Sequence, residues 1–435
     1  MIYNFDFLTH DEHDTIEEFS DDTTDNLDSK FISQGPDPFG DFELNENHSI
    51  LFYLNSDSPN DPLDIWNDEY VKLPCSKFNL DEYNQSIWLR ISSSLTQLKV
   101  DLKNLIDASN FGALFFKTVK EFNRSIQNVD NLGSLFTDCL DDKFSIEQML
   151  KMFILGKSHS ISLNQEQCAS LLANAFFCTF LDRSEEEKCE KLPTFNFNQL
   201  FMKQDDNFDN LKQEKIKCIL HYFNRITNKI ESNKETLSVI TYSRVFSENY
   251  SSNGFKKSRK KIRIPIISNC SRIEDCKGAL QLDFSCKFIG SGILSSGCVQ
   301  EEIRFSICPE LMVSMLFSEC MDDNECIIIR GVERFSDYTG YGQNFKWNGD
   351  FKDPTDKDKF NRIMTDILAI DPLNFTDSLE QYKEENLWRE IKKCFIGYRI
   401  KSRFNLEEAS LPRIATGNWG CGGYNGNIEL KCKHN

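Results

Sequence analysis

A group of acidic and amide side chains follows a glycine-rich stretch in the second half of the chain. Asp283 precedes this stretch, and Gln300, Glu301 and Glu302 end it. Glycine lets a backbone approach a ligand closely and present several N–H donors to phosphate oxygens. A carboxyl near phosphate charges and partly out of water has a raised pKa, which suits a general acid. The pattern therefore predicts a phosphate-bearing ligand and an acid–base reaction.

Glu301 and Glu302 must have different roles if both are helical, because neighbouring residues on a helix diverge by about 100°. One carboxyl would then grip hydroxyl groups and the other would transfer a proton. Two glutamates at the start of a helix also stabilise it through the helix dipole. The spacing alone leaves both interpretations open.

A second glycine-rich stretch lies at residues 415–424, after a short stretch at 411–414. Four of the seven positions from 417 to 423 are glycine. The candidate ligand contacts here are Asn418, Gly420, Gly422 and Tyr424. This pattern is typical of a second phosphate-contacting loop, with an aromatic ring to face a ribose or base, and also of a simple glycine-rich turn.

The elements that would position these residues differ between the two halves of the chain. Residues 50–235 have mainly helical periodicity, with helices predicted at 86–105 and 145–155. The clearest helix is 163–180, with Ser162 and Gln165 as a capping box. Residues 236–435 alternate short β-rich runs with helices, which predicts an α/β sheet with helices on its faces. The predicted strands are 237–242, 262–267, 279–284, 326–330 and 366–370. Ligands of such sheets lie beyond the carboxyl ends of the strands.

The charge of the chain is unevenly distributed. The 435 residues carry a net charge of −18, but residues 1–50 hold 14 acidic residues and one lysine, which leaves only −5 for the other 385. Residues 1–49 are predicted to be a disordered acidic leader, either a spacer or an interaction tail. A basic run at 256–263 is typical of a nuclear-import signal, an anion-attracting loop or a solvated loop.

Composition excludes several classes of protein. No apolar run reaches the ~18 residues of a membrane span, and no secretory signal precedes the acidic leader. The 16 cysteines have no zinc-type spacing, so no metal site is expected. They are expected to be reduced thiols of a protein in the nucleus or cytoplasm. A broad basic face for DNA or RNA is also missing from the sequence.

The glycine and glutamate motifs resemble the signature of the poly(ADP-ribose) glycohydrolase family: a glycine triplet, a short spacer and Gln-Glu-Glu. The resemblance covers roughly residues 50–435. Further segments similar to the family, in the family's order, are Leu73–Cys75, Gln165–Phe180, Tyr338–Tyr341, Ala369–Asp371 and Gly417–Gly422.

The resemblance implies a macrodomain-like mixed sheet with flanking helices, packed on an N-terminal all-helical accessory domain. It implies hydrolysis of the ribose–ribose bonds of poly(ADP-ribose) without metal or cofactor. The implied partners are poly(ADP-ribose) and poly(ADP-ribosyl)ated proteins, with no direct DNA, RNA or membrane contact. A monomer acting in the DNA damage response, in the nucleus, the cytoplasm or both, is expected.

The resemblance also implies residue roles. Glu302 would be the general acid and then the base, Glu301 would hold ribose hydroxyls, Asp283 matches an essential acid, and Gln300 completes the motif as a substrate-binding residue. The implied ligand contacts elsewhere are Gly290, Ser291 and Gly292 with Gly417–Gly422 at the diphosphate, Tyr341 on adenine, Tyr424 at the terminal ribose, and Ile273 with Glu274 at the adenine edge.

Three features depart from the family. Cys286 stands where the family has an asparagine that contacts the terminal ribose, and Ser291 replaces the middle glycine. The chain also ends at Asn435, where family members continue, so a truncated or differently completed sheet is expected. A weaker thiol contact would cost about 1–2 kcal/mol. These departures keep an alternative open, a catalytically weakened ADP-ribose-binding protein.

Overall fold

The computed structural model describes residues 2–5, 48–50, 156, 158–176, 178, 192–202, 210–232, 237–247, 266–268, 272–398 and 413–431. The helices predicted at 86–105 and 145–155, most of the acidic leader and the basic run at 256–263 lie outside these residues. The same holds for the segment Leu73–Cys75.

A mixed sheet of nine strands forms the centre of the described structure. The strands of the described residues, in chain order, are β1 (Ile2–Phe5), β2 (His48–Ile50), β3 (His159–Asn164), β4 (Val239–Phe246), β5 (Ile266–Ser268), β6 (Leu280–Phe284), β7 (Glu325–Gly331), β8 (Ser336–Thr339), β9 (Lys346–Asp350), β10 (Ile363–Ile370) and β11 (Ile414–Thr416). Their order in the sheet is β2-β3-β4-β7-β10-β6-β11-β1-β5, and β8 and β9 form a separate antiparallel pair. The five predicted strands correspond to β4, β5, β6, β7 and β10.

Three neighbouring strands at the centre of this sheet run parallel. β10 and β11 flank β6 and pair with it in parallel, Ala369 opposite Asp283 and Ala415 opposite Gln281. The carboxyl ends of these three strands therefore meet at one edge of the sheet, where ligands of α/β folds bind.

Helices cover the faces of the sheet. The helices of the described residues are α1 (Gln165–Phe176), α2 (Asn198–Phe201), α3 (Asn210–Ser232), α4 (Gln300–Ile307), α5 (Ser314–Phe317), α6 (Glu384–Tyr398) and α7 (Ile428–Lys431). Residues of α1, α3, α4 and α5 share one hydrophobic cluster with the sheet, and residues of α6 share another. The fold is therefore mixed α/β with helices on both faces, as predicted.

Side-chain alternation along β7 explains why the sheet needs both layers. Ile327 and Ile329 lie in the hydrophobic cluster that includes residues of α3. Cys326 and Ile328 lie in the cluster that includes residues of α6. Successive side chains of a strand point to opposite faces. A strand buried on both faces has no polar alternation, which accounts for the continuous apolar run.

The start of α1 differs from its prediction. The chain is a strand as far as Asn164, where β3 pairs antiparallel with β4. Ser162 Oγ shares a hydrogen bond with Thr241 Oγ1 at 2.9 Å, so it does not cap the helix. The cap is instead reciprocal between Asn164 and Gln167, each backbone N–H donating to the other's side-chain oxygen at 2.8–2.9 Å. The predicted capping box is wrong because strand pairing with β4 extends β3 past Ser162.

Segments outside the predicted sheet domain also contribute strands. β3 belongs to the part predicted as helical, and β1 and β2 overlap the predicted leader. β1 pairs antiparallel with both β11 and β5. The domain boundaries at 49/50 and 235/236 stay predictions.

Candidate active site

Loops leave the carboxyl ends of the parallel strands at one sheet edge. We call residues 285–299, which connect β6 to α4, the first glycine loop. We call residues 417–427, which connect β11 to α7, the second glycine loop. The parallel pairing of β6 with β11 places the starts of both loops side by side. The structure thus brings together the two motifs that the sequence separates by more than a hundred residues.

Glu301 is held on the inner side of the first glycine loop. Its Oε1 accepts hydrogen bonds from Ser285 Oγ at 2.8 Å and from the Gly290 N–H at 2.7 Å, and Oε2 accepts one from the Cys286 N–H at 3.1 Å. Burial and the neighbouring Glu302 raise the pKa of Glu301 to about 8, although these three donors oppose the shift. A carboxyl with this pKa is mostly protonated at pH 7 and can therefore donate a hydrogen bond as well as accept one.

Glu302 lies in the first turn of α4 with its carboxyl against the first glycine loop. Its Oε2 accepts a hydrogen bond from the Val299 N–H at 2.8 Å, an N-terminal capping contact. A Cβ on Gly292 would overlap Oε1 and lie 2.9 Å from Cδ. Among the described residues, this capping bond is the hydrogen bond that holds the carboxyl. Glu302 thus caps the helix while one of its oxygens stays directed at the loop.

Asp283 is fully buried near the end of β6. In the described part of the chain neither of its oxygens has a hydrogen-bond partner. Burial, followed by the charges of Glu301 and Glu302, raises its pKa well above the ordinary value, and Arg304 acts in the opposite direction. Burial and the two glutamates therefore favour the neutral form of Asp283.

Gln300, which is predicted to bind substrate, has both ends of its side-chain amide hydrogen-bonded within the protein. Its Oε1 accepts a hydrogen bond from the Phe284 N–H at 2.7 Å, and its Nε2 donates to the Leu282 carbonyl at 3.0 Å. Both ends of the amide thus bind the backbone of β6. This arrangement ties the start of α4 to the strand end, and so positions the two glutamates that follow.

The two departures from the family motif lie together. Cys286 accepts a hydrogen bond from Tyr424 Oη, with 3.1 Å between the oxygen and Sγ, and its thiol also hydrogen-bonds the Ser291 side chain. Burial, and secondarily the Glu301 charge, raises the pKa of the thiol to about 11, so it stays protonated at neutral pH. The predicted ribose contacts Cys286 and Tyr424 therefore contact each other across the two glycine loops.

Two glycines of the first loop are required by close packing. Gly290 has φ +69°, and a Cβ there would lie 2.7 Å from the Phe305 ring and 2.9 Å from the Met315 sulfur. Gly292 leaves the space that the Glu302 carboxyl occupies. Ser291, between them, is exposed. A side chain is therefore tolerated only at the middle position of this motif.

The second glycine loop has a buried anchor and an open tip. Trp419 is fully buried and donates a hydrogen bond from Nε1 to the Ile370 carbonyl at 3.0 Å. Gly420 has φ +74°, and a Cβ there would lie 2.8 Å from Pro372. Asn418 Oδ1 is buried with no hydrogen-bond partner in the described structure. Gly422 has open space around it, so packing does not require glycine there.

Tyr341 lies beside the first glycine loop with its ring exposed. Its side chain is 58% exposed, and its hydroxyl hydrogen-bonds the Gln300 backbone at the start of α4. The neighbouring Gly342 N–H donates to the Cys298 carbonyl at 3.0 Å, which ties this segment to the loop. An exposed ring next to the N-terminus of α4 is suited to stacking on a base.

The predicted adenine-edge pair is engaged within the protein. Ile273 is buried against Ala279 and Ala415. Glu274 accepts a hydrogen bond from the Tyr338 hydroxyl, and Arg272 stacks over the Tyr338 ring at 4.2 Å. A ligand would have to compete with Tyr338 for the Glu274 carboxylate, so an adenine contact here remains a prediction.

Sequence reasoning missed Ser285 and Lys215. Ser285 had no distinguishing pattern. Lys215 lies on α3 between the buried Leu211 and Ile219, so a lysine on the apolar stripe of an amphipathic helix was the signal that could have found it. Its ammonium contacts carbonyls of the first glycine loop, at 2.8 Å from Ser295 and 3.0 Å from Ile293.

Neither a metal site nor a membrane span is found within the described ranges. No group of three or more histidine, cysteine or acidic side chains there could hold a metal ion. None of the described helices has the length and apolar character needed to cross a bilayer. Cys168, Cys178, Cys308 and Cys326 are buried and form no disulfide within the described residues.

Two sequence profiles of one family match successive parts of the chain. The profile described as "Poly (ADP-ribose) glycohydrolase (PARG), Macro domain fold" matches residues 252–433. The profile described as "Poly (ADP-ribose) glycohydrolase (PARG), helical domain" matches residues 108–244. The first contains both glycine loops, and the second contains α1 and α3.

Curated relatives are similar to more than half of this chain. "Poly(ADP-ribose) glycohydrolase 1" of Arabidopsis thaliana is 37% identical over 273 residues, which is 62% of this chain and 46% of the relative. "Probable poly(ADP-ribose) glycohydrolase 2" of the same plant is 36% identical over 62% of this chain and 59% of the relative. "Poly(ADP-ribose) glycohydrolase 1" of Caenorhabditis elegans is 32% identical over 64% of this chain and 34% of the relative. The chain thus spans about half the length of the plant relatives it matches.

Proposed function

The chain belongs to the poly(ADP-ribose) glycohydrolase family, with a macrodomain-fold catalytic part and a helical part, and we propose that it hydrolyses the ribose–ribose O-glycosidic bonds of poly(ADP-ribose) and releases ADP-ribose. The observation that carries the proposal is the position of Glu302. Its carboxyl caps the start of α4 and faces the first glycine loop. A proton donor beside a loop suited to phosphates is what this reaction needs.

In the proposed reaction, Glu302 protonates the leaving ribose 2′-oxygen as the bond from the anomeric carbon breaks. The same carboxylate then takes a proton from the water that attacks the oxocarbenium-like carbon. The bond to the leaving oxygen is thereby replaced by a bond to the water oxygen, and the proton count balances. No group other than this carboxyl and water has to react.

Glu301 has the geometry to orient the ribose. Ser285 and the N–H groups of Cys286 and Gly290 fix its carboxyl, and its pKa of about 8 keeps it mostly protonated at pH 7. A protonated carboxyl can hold ribose hydroxyls by donating and accepting hydrogen bonds. Burial and the charges of Glu301 and Glu302 also raise the pKa of Asp283, so ionisation is opposed at more than one carboxyl of this cluster.

Several ligand contacts belong to the proposal. The backbones of Gly290–Gly292 and Gly417–Gly422 would lie against the diphosphate. The Gly290 N–H already donates to Glu301 and the Ser291 N–H to the Phe288 carbonyl, so other N–H groups of these loops would bind the phosphate oxygens. The exposed ring of Tyr341 would stack on adenine. Tyr424 and Cys286 would line the terminal ribose. Because a thiol is a weak hydrogen-bond donor, the contact of Cys286 with the terminal ribose would be the weakest of these contacts.

The cellular setting is also part of the proposal. The partners would be poly(ADP-ribose) and poly(ADP-ribosyl)ated proteins rather than DNA, RNA or a membrane, and the protein would act as a monomer. Reduced, buried thiols are in keeping with the nucleus or cytoplasm. A role in the DNA damage response would follow from the substrate.

The proposal is tested by incubating the purified protein with poly(ADP-ribose) and measuring released ADP-ribose, beside the variant Glu302→Gln. General acid–base catalysis contributes about 10²–10⁴-fold, so we expect a loss of that order. The matched control is Glu385→Gln, an exposed glutamate in the first turn of α6. It should keep wild-type turnover, which separates catalysis from a helix-dipole effect.

Turnover unchanged by Glu302→Gln would contradict the assigned mechanism. Absence of turnover in the wild type, together with measurable ADP-ribose binding, would replace the enzyme by the catalytically weakened binding protein. The three acids assembled around β6 and α4 favour the enzyme, because a binding protein has no use for a carboxyl positioned to transfer a proton.

A further inference from the structure

Lys215 of α3 lies under the first glycine loop with a fully buried side chain. Its ammonium donates hydrogen bonds to the carbonyls of Ile293 at 3.0 Å and Ser295 at 2.8 Å, and to the Gly297 carbonyl. The Gly292 carbonyl lies slightly farther away, at 3.4 Å. An ammonium has three N–H donors, and here all of them are directed at a single short loop.

These contacts determine which way the loop peptides face. The C=O and N–H of a trans peptide group point in opposite directions. Carbonyls at 293, 295 and 297 that point to Lys215 therefore turn the N–H groups of Leu294, Ser296 and Cys298 away from it. Because these carbonyls converge on one ammonium, the N–H groups at the other side of their peptides point outward from the loop.

The same contacts determine where Glu302 lies. A Cβ on Gly292 would overlap the Glu302 carboxyl, and one on Gly297 would lie 3.3 Å from its Oε1. The carboxyl thus rests on the two glycines whose carbonyls Lys215 binds. Displacing this part of the loop would displace the surface against which Glu302 packs.

Lys215 comes from the part of the chain matched by the helical-domain profile, residues 108–244, whereas the loop belongs to the macrodomain-fold part. We infer that Lys215 is a positioning residue through which the helical part sets the shape of the first glycine loop, placing Glu302 and turning the loop N–H groups outward, away from α3. This inference rests on the proposed function for its ligand and reaction. The helical part then contributes directly to the site, beyond covering the sheet.

The test compares Lys215→Met with Lys212→Met in the full chain. Lys212 lies one turn earlier on α3, is also buried, and donates to the Gln199 and Met202 carbonyls at 3.0 and 3.2 Å, at the end of α2. Both variants bury a similar unbranched side chain and lose carbonyl contacts, but only one of them touches the glycine loop. Lys215→Arg keeps the positive charge and several donors.

We expect Lys215→Met to lower kcat on poly(ADP-ribose) about 100-fold, the effect of misplacing a catalytic group by about 1 Å. ADP-ribose affinity, measured by calorimetry, should fall about tenfold, since oriented amides would be lost. Lys215→Arg should recover a substantial part of both. Lys212→Met should lower the melting temperature similarly while leaving kcat and affinity within about threefold of wild type.

A third readout separates the inference from the proposed function. Amide hydrogen exchange of residues 290–298 should speed up in Lys215→Met and not in Lys212→Met, whether or not the protein has any activity. Should the wild type neither turn over polymer nor bind ADP-ribose, the proposed function fails and this exchange difference still tests the loop contact. If Lys215→Met does not fold, Lys215→Gln, which keeps two N–H donors, is measured in the same way.

The inference is overturned if Lys215→Met keeps kcat, affinity and local exchange at wild-type values. It is also overturned if Lys212→Met changes all three as much as Lys215→Met does, because the effect would then be one of general stability.

Discussion

The first and second glycine loops leave neighbouring parallel strands at the same edge of the sheet, and each contains several glycines. In the first loop, side chains pack directly on the glycines: the Phe305 ring and Met315 at Gly290, and the Glu302 carboxyl at Gly292. In the second loop Gly420 and Gly426 are crowded, whereas Gly422 and Gly423 face open space.

This difference separates two uses of glycine that look alike in a sequence. In the first loop glycine makes room for the Glu302 carboxyl, so the loop and Glu302 form one packed unit. In the second loop the buried Trp419 supplies the anchor, and Gly422 and Gly423 meet no neighbouring atoms. Gly290 and Gly292 should therefore be intolerant of substitution, whereas Gly422 and Gly423 should tolerate it.

The largest expected effect comes from adding one methyl group to each loop. Gly292→Ala places a Cβ where the Glu302 carboxyl lies, so the side chain must move, and we expect kcat to fall about 10³-fold, or about 4 kcal/mol. Gly422→Ala has open space and should stay within about threefold of wild type. ADP-ribose release from polymer measures both.

Equal losses in these two variants would remove the distinction between the loops. A melting temperature for each variant serves as the control, because it shows whether the Gly292→Ala protein is folded when its turnover is measured.

The second prediction concerns the pH dependence of stability, which Glu301 beside the first loop should cause and the second loop should not. Burial and Glu302 raise the Glu301 pKa to about 8 in the folded protein, against about 4.3 in an unfolded chain. Between these two pH values the folded protein holds a proton on Glu301 that the unfolded chain has lost. The contribution of this proton to the free energy of unfolding is full below about pH 4.3 and is lost as the pH rises through about 8. The loss is at most about 1.4 kcal/mol per pH unit.

Urea unfolding at pH 5, 6, 7 and 8 measures this slope. Glu301→Gln removes the titrating group and should flatten the dependence, whereas Gly422→Ala in the second loop should keep the wild-type slope. A slope in Glu301→Gln as steep as in the wild type would show that another group causes it.

The smallest expected effect concerns the hydrogen bond that joins the loops, from Tyr424 Oη to Cys286 Sγ. Cys286→Asn restores an amide with two donors and an acceptor, and we expect kcat/KM to rise about tenfold. Tyr424→Phe removes the hydroxyl and so releases the second loop from the first. Kinetics on poly(ADP-ribose) with the two single variants and the double variant measure this coupling.

The double-mutant cycle should give a coupling energy of about 0.5–1 kcal/mol. Strict additivity would mean that the two loops act independently. A fall in activity on Cys286→Asn would show that the asparagine of the family does not correspond to this position.

Much of the fold and the motif could be predicted because the signals are local. The apolar runs at β4, β6, β7 and β10, and the order of strand, glycine loop and helix around Glu302, follow from residues close together in the chain. Family membership likewise rests on short motifs in a fixed order, and the profile matches agree with it.

Contacts between distant segments were decided by the tertiary structure. Ser162 was predicted as a helix cap from its local pattern, but pairing with Thr241 makes it part of a strand. Gln300 was predicted to bind substrate, but the end of β6 uses both ends of its amide. In each case a backbone or side-chain partner that no local pattern reveals competes for the same polar group.

The sequence by itself determined that an acid pair follows a glycine loop at the end of a strand, and therefore which residues can do chemistry. Only the tertiary structure decided how those residues divide the work. Glu301 and Glu302 are adjacent and chemically identical. Within the described residues, three donors bind the Glu301 carboxyl, whereas a capping hydrogen bond holds the Glu302 carboxyl. Burial and hydrogen bonding, which set the proton affinity of a carboxyl, depend on atoms brought from elsewhere in the chain.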